Sequence, residues 1–138
     1  MTDFTLHERL SADTVEIARW PLSRVLLMNA RQWPWLILVP QRPSLRDLHD
    51  VPLADHAQLM TEITLASQTL VRLFAPDKIN VAALGNVVLQ LHIHVIARHV
   101  SDPAWPRPVW SSDPPVPYEA DMLAARVEQL RRALPRES

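Results

Sequence analysis

The spacing of apolar residues changes along the chain, and each change marks an element. Leu6 to Leu10 fits a short helix, and Thr14 to Trp20 sets Val15 and Ile17 against Glu16 and Ala18, the two-residue period of a strand. Arg24 to Met28 and Leu36 to Val39 are apolar runs separated by Asn29 to Pro34, a hairpin by length, with Pro34 and Pro40 marking strand limits. From Pro52 to Phe74 the positions Leu59, Ile63, Ala66, Leu70 and Leu73 follow steps of four, three, four and three. That spacing puts them on one face of a long amphipathic helix, which Pro76 ends. Lys78 to Leu84 and Val88 to Arg98 are two further strands joined through Gly85-Asn86, and Tyr118 to Leu134 places Leu123, Val127, Leu130 and Leu134 on a second helical stripe. This order predicts an α+β fold, a mostly antiparallel sheet with the long helix and the C-terminal helix packed on it.

Between the last strand and the last helix the pattern breaks. Six of the 13 prolines fall between Pro103 and Pro117, so the segment 99–117 is expected to be an extended surface connection. It also carries Trp105 and Trp110, for which three roles stand open: sealing the core edge, a dimer contact, or a lid. A single domain over 1–138 follows, with its core at 24–98 and a C-terminal helix at 118–134.

Composition narrows the chemistry. The chain has no cysteine, which removes disulfides, thiolate metal sites and thiol nucleophiles. Its one glycine, Gly85, excludes the glycine-rich phosphate loops of P-loop and Rossmann proteins. A formal net charge of -1 gives no general attraction to polymeric nucleic acid or anionic lipid, so a small-molecule partner is expected. No apolar run is long enough to span a membrane, and Met1 to Arg9 does not have the character of an export leader. A cytoplasmic location is the expectation.

The densest polar signal is Gln90-Leu91-His92-Ile93-His94-Val95-Ile96. On a strand Gln90, His92 and His94 share one face, while Leu91, Ile93 and Val95 take the other, under the long helix. Side chains two apart lie roughly 6.5–7 Å from each other, so one phosphate group could touch two of them. Imidazole suits such a place because it titrates near neutral pH and serves as nucleophile, acid or base. Two histidines on one strand also suit a metal ion, with His99, His56, His49 or His7 as further ligands, although none has a recognisable spacing.

Gln90 to Ile96 resembles the signature of the histidine triad (HIT) superfamily, His-φ-His-φ-His-φ-φ with φ apolar. The similarity covers roughly Arg24 to Arg98. Asn80 in Ile79-Asn80-Val81 resembles the family's strand-borne asparagine, and Gly85-Asn86 falls where the family usually has Gly-Gln. Leu36 to Pro40 is similar to the end of the family's first hairpin, and Asn29 lies where an Asp often contacts the ribose. The resemblance implies a hydrolase or transferase acting at the α-phosphate of a nucleotide conjugate, such as a dinucleoside polyphosphate or a nucleoside phosphoramidate. In that scheme His92 attacks phosphorus to form a nucleotidyl-histidine, which water resolves. His94 bonds a phosphoryl oxygen or the leaving group, Asn80 and Asn86 donate amide hydrogens, and the Gly85 backbone approaches the phosphate closely. It also implies a homodimer through the long helix and an edge strand, with no cofactor and no metal required for the covalent step.

Gln90 departs from the pattern, because the family has its first histidine there. Glutamine keeps a donor and an acceptor but carries no proton charge. Catalysis survives the change if that position acts through its backbone and hydrogen bonding. Otherwise the chain is a nucleotide-binding module with little turnover. Val87 and Val88 stand where many relatives carry a Ser or Thr, which removes one expected hydroxyl.

Overall fold

The computed structural model describes residues 4–136, so Met1 to Asp3 and the last two residues of the expected 1–138 span lie outside it. Five strands form one sheet in the order β1-β2-β3-β5-β4, every neighbouring pair antiparallel. They are β1 (Thr14–Arg19), β2 (Ser23–Met28), β3 (Trp35–Pro40), β4 (Lys78–Ala82) and β5 (Ile93–Arg98). The helices are α1 (Glu8–Asp13), α2 (His56–Phe74) and α3 (Ala120–Ala133).

Alternation along the strands sorts the apolar side chains onto two faces, and each face has its own core. Val25, Leu27, Leu36, Leu38, Ile93 and Val95 pack with Leu59, Ala66 and Leu70 of α2 and Leu130 of α3. On the opposite face Leu26, Trp35, Ile37, Val39 and Ile96 meet Leu10 of α1 and Trp33, Ala104 and Val109 from loops. Central β3 is therefore buried at all six positions. Its Val, Leu and Ile side chains each stabilise the fold by about 1.5–3 kcal/mol through removal from water.

Segment 99–117 forms the cover of that second face, where an extended surface connection was expected. Its anchor is Arg98, only 1% exposed at the end of β5. The guanidinium donates to both Asp102 carboxylate oxygens at 2.7 and 3.1 Å, to Asn80 Oδ1 at 2.8 Å and to the Arg107 carbonyl at 2.7 Å. Asp102 in turn accepts from the backbone N–H groups of His99, Ala104 and Trp105. Burial alone would raise the Asp102 carboxyl, but Arg98 and those backbone donors outweigh it and hold it well below the usual carboxylate range.

Several element limits differ from the sequence pattern for local reasons. The first helix begins at Glu8, because the His7 ring caps it by accepting from the Arg9 N–H through Nδ1 at 3.0 Å. A 3-10 turn, Leu53–Asp55, occupies the expected start of the long helix and delays α2 to His56. Its end is set by Ala75 in the left-handed region, φ 44, just before Pro76. Strand β4 stops at Ala82 rather than Leu84. β5 starts at Ile93, five residues after Val88, because β3 pairing ends at Leu38 opposite Ile93 and the Leu91 N–H turns to the Leu45 carbonyl at 2.9 Å.

Candidate active site

Because β5 alternates, Ile93 and Val95 point to the helix face, and His94, Ile96 and Arg98 share the face under segment 99–117. His92 precedes the strand but turns its ring to the same side, with the His92 and His94 ring centroids 4.9 Å apart at 72°. Both rings are buried, His92 7% and His94 6% exposed.

A different neighbour fixes the proton on each ring. His92 Nδ1 lies 2.7 Å from the Gln90 carbonyl oxygen, which only accepts, so Nδ1 carries the hydrogen and Nε2 keeps its lone pair. Trp35 Nε1, which only donates, lies 3.0 Å from His94 Nδ1, so that nitrogen accepts and Nε2 carries the hydrogen. The two imidazoles are thus held in opposite tautomers. One offers a nucleophilic nitrogen and the other an N–H donor.

Charge on either ring is disfavoured. For His92 burial lowers the pKa most, the Gln90 carbonyl works against that, and the charge of His7 lowers it again. His94 is lowered to about 3, first by burial and then by the charge of His92. Burial thus favours the neutral form of both rings.

The pair opens into a cleft of about 570 Å³ whose walls include Gly85, Asn86, Val88, Arg9, Trp110 and Ser111. A recess of about 360 Å³ that shares Gly85 and His92 with the cleft is lined also by Arg46, Asp47 and His49. Trp110 stands edge-on to His94 at 4.9 Å and to Trp35 at 5.7 Å. Of the roles open for the two tryptophans, Trp110 is a wall of this cleft, while Trp105 lies against the Arg98 guanidinium at 5.7 Å.

The residues singled out from sequence divide into two sets. His92, His94, Gly85 and Asn86 meet at the cleft. Three others have their side chains engaged elsewhere. Gln90 Oε1 accepts from the His7 N–H at 2.8 Å and its Nε2 donates to the Thr5 carbonyl at 2.9 Å, so this amide faces the N-terminal segment. Asn29 Oδ1 accepts from the Tyr118 N–H at 2.9 Å and ties the hairpin to the approach to α3. Asn80 belongs to the Arg98 cluster. Gly85 has φ +72, a backbone conformation that favours glycine, and a Cβ there would meet the Val88 carbonyl at an ordinary 3.5 Å.

The histidines considered as further metal ligands do not gather around His92 and His94. His99 Nε2 bonds the Phe74 carbonyl, His56 Nε2 the Val51 carbonyl, and His7 caps α1. Among the described residues the side chains placed to share an ion are Asp47, His49 and Asp50, all exposed.

Trp35 and Arg9 lie at the cleft or its adjoining recess and were not singled out by sequence reasoning. Trp35 reaches His94 because Ile37 pairs with His94, which puts Trp35 one step along the same face. The apolar run of β3 gave no sign of that register.

The chain matches the HIT domain family over residues 9–101. A histidine triad protein from Bradyrhizobium japonicum is 45% identical, with a TM-score of 0.91 over 96% of this chain and 98% of that one. A histidine triad protein from Marinobacter aquaeolei is 46% identical, with a TM-score of 0.91 over 95% and 96% of the two chains. One from Sinorhizobium meliloti is 41% identical, again at 0.91, over 96% and 98%. A search of curated proteins returned no match.

Proposed function

The chain belongs to the HIT domain family, and from that premise we propose a nucleotide hydrolase or nucleotidyl transferase that works through a covalent nucleotidyl-His92. The observation that carries this reading is the pair of opposite tautomers. His92 Nε2 attacks the α-phosphorus, a P–N bond forms, and the bond from phosphorus to the leaving group breaks. The imidazole becomes cationic as it does so, and the Gln90 carbonyl on Nδ1–H stabilises that charge. His94 Nε2–H donates to a phosphoryl or leaving-group oxygen without giving up its proton. Asn86 and the Gly85 turn line the same cleft and would donate to the same oxygens. Water then attacks phosphorus and gives its proton to solvent, the P–N bond breaks, and the free imidazole returns.

Glutamine at position 90 is compatible with this route, because the main-chain carbonyl holds His92 and a side-chain replacement leaves it in place. A neutral His94 favours leaving groups that depart as stable anions, such as the nucleotide of a dinucleoside polyphosphate. An amine leaving from a phosphoramidate takes its proton from solvent. A homodimer is part of the same proposal, through α2, where Met60 is exposed, and edge strand β4, where Val81 is exposed. Sedimentation at micromolar concentration tests it, and a monomer would remove it. No helix among the described residues is long and apolar enough to cross a membrane.

Rapid quenching with a dinucleoside polyphosphate or a nucleoside phosphoramidate, followed by intact-mass and peptide analysis, tests the chemistry. A nucleotidyl adduct on His92 is expected, and none in His92→Ala. Nucleotide binding with no turnover on either substrate would instead leave a binding module.

A further inference from the structure

Neutral imidazoles bring no charge to a phosphate, and among the described residues lining the 570 Å³ cleft the formal charge belongs to Arg9. Arg9 lines the cleft with both His92 and His94, and also an adjoining recess of about 150 Å³ that the two rings share with Trp35. It comes from α1, far from β5 in the sequence. What brings it there is Gln90. The amide pairs with the backbone at two points, His7 N–H and Thr5 carbonyl, and so fastens the strand of chain leading into α1 beside His92. The His7 cap and Leu10, buried in the second core, hold the helix that follows.

We propose that Arg9 is the phosphate-binding cation of this site, delivered to the cleft by the Gln90 clasp on Thr5 and His7. This rests on the nucleotide reading above and adds the residue that recognises the anion. The guanidinium fork matches two phosphoryl oxygens at once. Its present partner, Asp13, is 3.7 Å away with both side chains about half exposed or more, a contact that competes weakly with a phosphate. Gln90 is then a positioning residue. The glutamine that replaces the family's first histidine recruits a charge from elsewhere in the chain, which its own side chain lacks.

Calorimetry with a nucleoside 5′-monophosphate and with the parent nucleoside separates this from a general loss of structure. Arg9→Met is expected to weaken the monophosphate about tenfold or more and to leave the nucleoside unchanged. Arg9→Lys should recover part of the loss, because it returns the charge without the fork. Gln90→Ala should weaken the monophosphate selectively as well, while Arg46→Met, which lines the 360 Å³ recess and not this cleft, should not. An unchanged monophosphate affinity in Arg9→Met, an equal loss for both ligands, or a loss in Arg46→Met matching that of Arg9→Met would overturn the assignment to Arg9. Unchanged selectivity in Gln90→Ala would overturn the clasp. Failure of the wild-type protein to bind the monophosphate at all would instead count against the nucleotide reading itself.

Discussion

The second face of the sheet buries polar groups at both ends of one stretch, and the two ends are built differently. At Arg98 a full charge sits in the interior with its partners assembled around it: both oxygens of Asp102, the Asn80 oxygen and the Arg107 carbonyl. At His92 and His94, two neutral rings each have one nitrogen engaged and the other directed by tautomer toward a particular use. Desolvating an ion is costly enough that it is kept only where it is paired, so the first cluster is closed and holds segment 99–117 in place. An imidazole can be buried neutral at much lower cost, which leaves capacity for a ligand. On one face, saturation of hydrogen bonding marks architecture and a spare lone pair beside a spare N–H marks chemistry.

The comparison breaks most sharply at His92. His92→Ala removes the nucleophile and should lower kcat by roughly a thousandfold or more, with the melting temperature nearly unchanged; activity assays paired with thermal unfolding read both. At the other end the expectation reverses. Arg98→Met strands Asp102 in the interior and should cost about 3–5 kcal/mol of stability by urea unfolding, with activity following the folded fraction. A variant that lost activity but not stability at Arg98 would erase the distinction.

Smaller effects sharpen it. Trp35→Phe keeps an aromatic ring but releases the His94 tautomer, and should lower kcat about 10- to 100-fold with little change in nucleotide affinity. The pH dependence follows from the lowered His92 pKa. The free base persists to lower pH than for an ordinary imidazole, so the midpoint of the acid-side decline in kcat/KM should lie below 6.5. A midpoint above 6.5 would contradict burial as the dominant influence. Asp102 acts on stability in the carboxylate sense. Its lowered pKa stabilises the fold above the unfolded value of 3.8 and that contribution is lost as pH falls below it. Asn29→Ala, which loses only the bond to the Tyr118 N–H, should cost about 1 kcal/mol and leave ligand affinity intact.

The strands, the two main helices and the histidine pair were legible in the sequence because each rests on a local period. The apolar stripe of α2 and the alternation from Leu91 to Ile96 need only nearest neighbours to be recognised. What the pattern missed depends on contacts between distant segments. Glu62 lies on the buried face of α2, and its carboxylate accepts from the Leu22 N–H at 2.9 Å and the Gln58 amide at 2.7 Å, partners no periodicity reveals. The contacts that Asn29 and Asn80 make through Oδ1 were hidden for the same reason. An amide suits a phosphate and a stray backbone N–H or guanidinium equally well, and only the fold brings up Tyr118 or Arg98. Gln90 was legible as a departure, but the N-terminal chain it grips is 83 positions away at His7.

The claim at the centre is that the two buried imidazoles are neutral and held in opposite tautomers. Long-range 1H–15N correlation of the histidine side chains at pH 7 tests it without any substrate. The expected spectrum shows His92 protonated at Nδ1 and His94 protonated at Nε2. An imidazolium at either position, or the same tautomer at both, would contradict it.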